Sequence, residues 1–388
     1  MFVDSMYQLG SKRSCIRELF EYGQQKAREL GPEHVFDYSL GNPSVPVPAE
    51  AGKVIEELVE TEDTLVLHGY TSASGSLDTR AAVADDLNVR YHAGVRPENL
   101  FMTCGAAPAL VSILRALAIP GAEILLLTPF FPEYVPFSEA NGAKPVIVPA
   151  EEGFRLNAQS VERYVTPHTQ AIIVNSPNNP SGVVYTREEL EALAEMLRRK
   201  EAEYGHPIYI IADEPYRELA YGVEVPFLPA IYPNAIYCYS YSKTLSLPGE
   251  RVGFLALHPA MDDYAAVHAA VLGAGRALGY ICVSSLFQLA VARRRTSRPM
   301  RPTANLSTAR SRTWAMRARG RTARFISSSS RRSRTPGRFA AARWTMTFCS
   351  CRATISAAPA MRAWPTAWRA ASSSARSRRS GSWPRATA

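Results

Sequence analysis

Seven short apolar runs recur between residues 100 and 257, and helical patterns lie between several of them, most clearly at 187–203. Most of the runs are rich in Ile, Val and Leu and lack period-two alternation, which is typical of strands buried on both faces. This order predicts an α/β fold with a mostly parallel central sheet and helices on both faces. The predicted strands are 100–103, 123–127, 145–148, 171–174, 208–212, 236–239 and 252–257.

Apolar spacing near three and four residues predicts further helices at 11–30, 49–62, 76–92 and 108–117. The stretch 265–292 is apolar enough to resemble a membrane span, but His268, Arg276 and several glycines interrupt it. We therefore expect a buried helix of the globular core there and no membrane association. The first residues lack a secretory signal, and the cysteines lack zinc or disulfide-framework spacing, so we expect a cytoplasmic protein without a metal site.

Charge divides the chain into two unlike parts. Residues 1–263 contain 20 Lys and Arg against 35 Asp and Glu, whereas residues 264–388 contain 24 Arg and no acidic residue. The whole-chain net charge of +9 therefore does not indicate a specific nucleic-acid partner. From Arg293 onward Arg, Ser, Ala, Pro and Thr dominate without helical or strand periodicity. This composition indicates either a reading-frame change near residues 290–300 or a genuine disordered Arg/Ser tail.

The most informative segment follows the sixth predicted strand and contains Lys243. Ser240 and Ser242 frame this lysine, and Arg251 follows it within GERVG. An amine that forms a Schiff base with an aldehyde must be unprotonated, and hydroxyls beside an arginine suit a phosphate on the same ligand. The segment indicates a phosphate-bearing aldehyde cofactor, and the alternative is a surface lysine after a strand.

Asp213 directly follows the fifth predicted strand, in the sequence ADEPY. A carboxylate at this position can accept a hydrogen bond from a protonated pyridine nitrogen and hold the ring cationic, which makes the ring an electron sink. Tyr216 is the candidate partner of the ring's phenolic oxygen. The alternative is an Asp that opens a turn before Pro215.

Three further strand ends contain candidate residues. Asn179, in SPNNPSG, is a candidate donor to the same phenolic oxygen. Gly105, Ala106 and Ala107 precede a predicted helix, where small residues let backbone N–H groups approach a phosphate. Phe131, in PFFPEY, can stack on the pyridine face, although an aromatic residue here is as often part of a core. Because ligands bind at the carboxyl ends of parallel strands, these segments belong to one predicted site.

Together, the lysine segment, ADEPY and SPNNPSG resemble the class I/II aminotransferases of the fold-type-I pyridoxal-phosphate (PLP) enzymes, over about residues 10–292. The resemblance implies that Lys243 binds PLP covalently and moves the proton between the substrate α-carbon and the cofactor, while Asp213 pairs with the ring nitrogen. It also implies contacts to the ring from Tyr216, Asn179 and Phe131. The phosphate contacts that it implies come from Ser240, Ser242, Arg251 and the backbone of Ala106 and Ala107, at the turn that contains Gly105.

Two further positions take their expected roles from the resemblance alone. Tyr70, in HGYTSASG, resembles the tyrosine that binds the phosphate of the neighbouring subunit, which implies a homodimer. Gly41, in SLGNPS, lies where the substrate carboxylate passes. The implied division is an N-terminal segment of a small domain at 1–48, a large PLP-binding domain at 49–292, and a tail at 293–388 in place of the rest of the small domain.

The implied reaction moves an amino group between an α-amino acid and a 2-oxo acid. Such enzymes hold the substrate carboxylate with an arginine in a C-terminal strand, and Arg362 lacks that context, so we expect cofactor binding without turnover. Two other functions remain open from the residues. One is a PLP-dependent C–S lyase on the same fold, and the other is nucleic-acid binding through the arginines of the tail.

Overall fold

The structure is a computed structural model that describes residues 2–11, 15–36, 41–43 and 45–297. Its α-helices, α1 to α12, are Asp4–Ser11, Cys15–Leu30, Ala49–Thr61, Thr64–His68, Leu77–Tyr91, Ala106–Leu117, Tyr134–Ala140, Ala158–Glu162, Arg187–Tyr204, Tyr241–Thr244, Tyr264–Ala277 and Ser285–Ser297. Short 3-10 helices are Pro32–His34, Pro97–Asn99, Glu152–Phe154, Arg217–Leu219 and Leu228–Ala230. Among the described residues, no helix is both long and apolar enough to cross a bilayer, and no cluster of His, Cys, Asp and Glu is arranged to hold a metal ion.

Seven strands form one sheet in the order β1-β7-β6-β5-β4-β2-β3. Only β7 runs antiparallel to its neighbours β1 and β6, and the other pairings are parallel. The predicted α/β fold is confirmed, since every predicted apolar run lies within a strand or overlaps one. In chain order, β1 to β7 are Leu100–Thr103, Glu123–Leu127, Lys144–Val148, Thr169–Asn175, Tyr209–Asp213, Ala235–Ser240 and Gly253–Leu257.

Apart from the edge strand β3, the sheet is buried on both faces, which explains why most of its strands lack polar alternation. Ile172 and Ile210 join a core cluster with residues of α5 and α9, whereas their neighbours Ile173 and Ile211 join a second cluster with residues of α6 and α11. Each of these isoleucines is at most 2% exposed. Burying such a side chain stabilises the fold by roughly 1.5–3 kcal/mol, so both faces favour an apolar residue at every position.

The stretch 265–292 does not form the single buried helix that we expected. It is divided between α11 and α12 by an interruption in which Gly279 and Cys282 have φ values of 78° and 59°. Glycine adopts this left-handed conformation at little cost, so the chain turns there instead of continuing the helix. The predicted boundary at 292/293 falls within α12, which continues to Ser297, and Arg293 pairs with Glu57 and Glu62 at 3.2 and 2.6 Å.

The helix after β1 begins at Ala106, two residues before the predicted start. Pro108 lies in its first turn, where a missing N–H removes no intrahelical hydrogen bond. The earlier start places the N–H groups of Ala106 and Ala107 at the helix N-terminus. The expectations for residues 298–388, including those for Arg362, lie outside the described residues.

Candidate active site

The predicted site residues converge at one edge of the sheet. In the strand register Asn175 pairs with Asp213, and Asp213 pairs with Cys238, so the carboxyl ends of β4, β5 and β6 lie side by side. β1 runs in the same direction as these strands, because it and β6 are both antiparallel to β7. Its end, with Gly105, therefore faces the same edge.

Asp213 lies at the end of β5 with 6% of its surface exposed. Its Oδ2 accepts a hydrogen bond of 2.5 Å from the hydroxyl of Tyr134, whereas its Oδ1 is buried without a hydrogen-bond partner among the described residues. Burial raises the pKa of Asp213 from 3.8 to about 6, against the lowering effect of the Tyr134 hydrogen bond. A buried oxygen without a donor is costly, so this carboxylate is suited to a ligand that brings an N–H group.

Tyr216 and Asn179 contact each other beside Asp213. Burial and the negative charge of Asp213 raise the pKa of Tyr216 to about 12, although a side-chain hydrogen bond with Asn179 lowers it. Asn175 fixes this arrangement, since its Nδ2 donates to the Asp213 carbonyl oxygen at 2.7 Å and its Oδ1 accepts from the Asn179 backbone N–H at 2.6 Å. Because its pKa is raised, the Tyr216 phenol stays protonated at neutral pH and can donate a hydrogen bond.

Lys243 lies on the four-residue helix α10, directly after β6. Its Nζ donates a hydrogen bond to the carbonyl oxygen of Gly41, which brings the N-terminal segment to the site. Burial, and then the positive charge of Arg251, lower the pKa of Lys243. Both effects favour the unprotonated amine that attack on an aldehyde requires.

An anion-binding corner lies beside the lysine. Gly105, with φ 93°, caps α6 without a side-chain hydrogen bond. A Cβ at Gly105 would lie 2.8 Å from Nη2 of Arg251, so only glycine lets the guanidinium approach the helix N-terminus this closely. The N–H groups of Ala106 and Ala107, the helix dipole and the arginine charge all favour a phosphate here.

Ser240 and Ser242 are buried, at the end of β6 and in α10. The Ser240 hydroxyl caps α10 by accepting from the Ser242 backbone N–H at 3.2 Å, and it donates to the Ser242 hydroxyl at 2.8 Å. The proton of Ser240 is therefore used within the protein. The proton of Ser242 is the one available to an acceptor outside the pair.

The remaining predicted residues lie at different distances from this cluster. Phe131 is half-buried and its ring meets the Tyr134 ring edge-on at 5.7 Å, so it lies beside the partner of Asp213. Tyr70 is 96% exposed and lines a hollow with residues of α12 and the preceding loop, including Cys282.

Sequence reasoning missed Tyr134, which is buried and donates a hydrogen bond to Asp213. Its only sequence signal is its position in the same PFFPEY segment as Phe131.

The model of the family "Aminotransferase class I and II" matches residues 33–323, about three-quarters of the chain. The chain belongs to this family. The match begins later and ends later than the predicted range of 10–292.

Individual relatives of this aminotransferase family member agree with the assignment. The chain is 31% identical over 252 residues to aromatic-amino-acid aminotransferase 2 of Thermococcus litoralis, covering 63% of this chain and 60% of the relative. It is 31% identical over 228 residues to an aspartate aminotransferase of Thermotoga maritima, covering 58% of each. The chain thus spans about three-fifths of the length of these relatives. A solved aminotransferase structure from Eubacterium rectale has 49% identity and a TM-score of 0.74, over 76% of this chain and 75% of that one.

The residues present fit the cofactor that the family uses. The unpartnered Oδ1 of Asp213 can accept from a pyridinium N–H, and Tyr216 and Asn179 lie together to bind a phenolic oxygen. The turn at Gly105 leaves room for Arg251 at the N-terminus of α6, where a phosphate could bind. The donors and acceptors thus match the three polar ends of PLP, and Lys243 would supply the amine for its aldehyde.

Proposed function

We propose that this site binds PLP and moves an amino group between an α-amino acid and a 2-oxo acid. The observation that supports the proposal most strongly is the buried Oδ1 of Asp213, which lacks a partner among the described residues. A structural carboxylate would normally be satisfied by the fold, whereas this one is paired on one side only. The names of the relatives, aromatic-amino-acid and aspartate aminotransferases, support the reaction class.

PLP, when bound, supplies an aldehyde that captures an amine and a protonated ring that withdraws electrons from the substrate α-carbon. Asp213 holds the proton at the ring nitrogen, and Tyr134 holds the Asp213 carboxylate. Tyr216 and Asn179 orient the ring through its oxygen, while Phe131 covers one face. Ser242, Arg251 and the amides of Ala106 and Ala107 bind the phosphate, and Ser240 supports Ser242.

Lys243 is the group that accepts and returns the proton at the substrate α-carbon. Lys243 would hold the aldehyde of PLP, and the lowered pKa of its amine would keep it available as a base for the substrate proton. The Gly41 carbonyl, which accepts from Lys243, lies where the substrate carboxylate passes in our proposal.

The proposed assembly is a homodimer in the cytoplasm. Tyr70 is 96% exposed in the single chain, which suits a residue that completes the phosphate site of a partner subunit. The described cysteines Cys104, Cys238 and Cys282 are free, in keeping with a reducing compartment. We also propose that residues 1–48 belong to a small domain and that the large PLP-binding domain begins at residue 49.

The test is a transamination assay on the full chain supplied with PLP. We expect an amino acid such as aspartate or an aromatic amino acid to yield its 2-oxo acid in an amount equal to the bound cofactor, and an added 2-oxo acid to take that amino group up once, without repeated turnover, as expected from the sequence. Lys243→Ala is the control, and it should form no 2-oxo acid. Release of ammonia and pyruvate from a cysteine conjugate, without amino transfer to any 2-oxo acid, would contradict the proposal and favour β-elimination.

A further inference from the structure

The helix that contains Lys243 is too short to hold its own position. α10 comprises only Tyr241–Thr244, and isolated helices of this length are unstable in water. The position of the lysine therefore depends on tertiary contacts of its neighbours. On one side the Ser240 hydroxyl caps the helix, and on the other the hydroxyl of Thr244 contacts Tyr239 and Glu218.

Glu218 lies where the 3-10 helix Arg217–Leu219 meets α5, β6 and α10. This 3-10 helix directly follows the segment that contains Asp213 and Tyr216. The Glu218 side chain is 8% exposed. Oε1 accepts two hydrogen bonds of 3.0 Å from the guanidinium of Arg90, on α5. Oε2 accepts from the Tyr239 hydroxyl at 2.8 Å and lies 3.3 Å from the Thr244 hydroxyl.

The protons of this network can be assigned by counting donors. Arg90 has only N–H donors, so Glu218 must be the acceptor in that pair. The Tyr239 hydroxyl has one proton and lies close enough to the carboxylate to donate it there. Thr244 then donates to the Tyr239 oxygen at 2.6 Å. The result is a chain of hydrogen bonds from Thr244 through Tyr239 to Glu218, with the carboxylate charge compensated by Arg90.

We propose that Glu218 is a positioning residue for Lys243, acting through Tyr239 and Thr244. Glu218 joins the segment that contains Asp213 and Tyr216 to the helix that contains the lysine, so it sets the distance between the group that would hold the ring and the amine that would hold the aldehyde. The inference rests on the proposed function, because it concerns the residues that bind PLP. Glu218 itself touches none of the reacting atoms.

The test compares three variants of the full chain with a matched control. Thr244→Val removes the hydroxyl at nearly constant shape, Thr244→Ser restores a hydroxyl, and Glu218→Gln removes the charge. Thr79→Val is the control, because the Thr79 hydroxyl is buried and donates to the Gln288 carbonyl at 3.0 Å, away from Lys243. We measure PLP affinity, thermal unfolding, and the pH profile of Lys243 acylation in the protein without cofactor, followed by peptide mass spectrometry.

We expect Thr244→Val and Glu218→Gln to weaken PLP binding about tenfold, equivalent to about 1.4 kcal/mol. We also expect them to move the midpoint of the Lys243 acylation profile upward, because a loosened amine becomes better solvated and moves away from Arg251. Thr244→Ser should keep both values near those of the unmodified chain, and Thr79→Val should lower only the unfolding temperature.

Two results separate this inference from the proposed function. If the unmodified chain binds PLP but Thr244→Val behaves like Thr79→Val in affinity and acylation profile, the positioning role is wrong and the proposed function stands. If the unmodified chain does not bind PLP, the proposed function fails, and the acylation profiles of the variants still decide whether Glu218 positions the lysine. Thr244→Val keeps the test decisive should Glu218→Gln, which leaves Arg90 with only the Asp86 carboxylate at 3.4 Å, fail to fold.

Discussion

The Tyr134 hydroxyl donates a hydrogen bond of 2.5 Å to Oδ2 of Asp213, and the opposite oxygen of the same carboxylate has no partner among the described residues. The carboxylate is therefore stabilised and oriented on one side and open to a donor on the other. Burial raises the pKa of Asp213. The open oxygen of its carboxylate can nevertheless accept a hydrogen bond from a protonated ring nitrogen of a ligand, and the positive charge of that ring favours the ionised carboxylate.

Tyr134→Phe should weaken PLP binding about tenfold near neutral pH, because it removes a hydrogen bond to a charged group. Loss of that bond raises the pKa of Asp213 further, so less of the carboxylate is ionised at neutral pH and the defect should shrink as the pH rises. Titrations with PLP at several pH values measure this effect. The control is Tyr232→Phe. The Tyr232 hydroxyl donates hydrogen bonds to Glu201 and to the Ile208 carbonyl, at the opposite end of β5 from Asp213. Equal affinity of Tyr134→Phe and the unmodified chain at every pH would refute the role of Tyr134.

Asp213 should also make the stability of the cofactor-free chain depend on pH. Its folded pKa of about 6 is above the ordinary value of 3.8, so between these values the folded state keeps a proton that the unfolded state releases. The free energy of unfolding therefore falls by about 3 kcal/mol as the pH rises through this window. Above the window it stays at the lower value. Asp213→Asn cannot titrate, so its unfolding free energy in urea should lack this contribution. Parallel pH profiles for the two proteins would contradict the assigned cause.

Gly105→Ala should reduce both stability and PLP affinity, for two separable reasons. A φ of 93° strains any side chain, and the new Cβ would lie 2.8 Å from Arg251. Gly142→Ala is a matched control, because Gly142 has φ 91° and no atom within 4 Å of the added Cβ. Both variants should lose about 1 kcal/mol or more of unfolding free energy. Only Gly105→Ala should also weaken PLP binding, by about tenfold, and an equal loss of affinity in both would show that displacement of Arg251 is unimportant.

Tyr70 can be tested for action across a dimer by mixing two defective chains. Tyr70→Phe should weaken PLP binding about tenfold through loss of a hydrogen bond to phosphate, and Lys243→Ala should abolish covalent binding. After subunit exchange, a mixed dimer contains one site with Lys243 from one chain and Tyr70 from the other. We expect half of the sites in such dimers to regain normal affinity. If sedimentation shows mixed dimers but their PLP affinity does not recover, Tyr70 acts at the site of its own chain or at no site.

The sequence predicted the sheet well because burial on both faces leaves an apolar run at every strand. It also predicted the convergence of Asp213, Asn179 and Lys243, since the carboxyl ends of parallel strands meet at one edge. The break between α11 and α12 was missed because it depends on left-handed residues such as Gly279 and Cys282, and a helical pattern in apolar residues does not reveal a local change of φ.

Tyr134, Glu218 and Thr244 escaped sequence analysis for a different reason. Their roles depend on contacts between residues far apart in the chain, such as Tyr134 with Asp213, and nothing in their local sequence distinguishes them from core or surface residues. The roles of Tyr70 and Gly41 toward substrate and partner stay predictions.

Covalent binding of PLP by Lys243 is tested most directly by reductive trapping of PLP on the purified full chain with borohydride, followed by peptide mass spectrometry. We expect one PLP per chain, attached to Lys243, with a visible absorbance band before reduction. Lys243→Ala should lose both signals, and Lys144→Ala, which removes a surface lysine paired with Glu123, should keep them. Labelling spread over other lysines, or unchanged uptake by Lys243→Ala, would contradict covalent binding of PLP by Lys243.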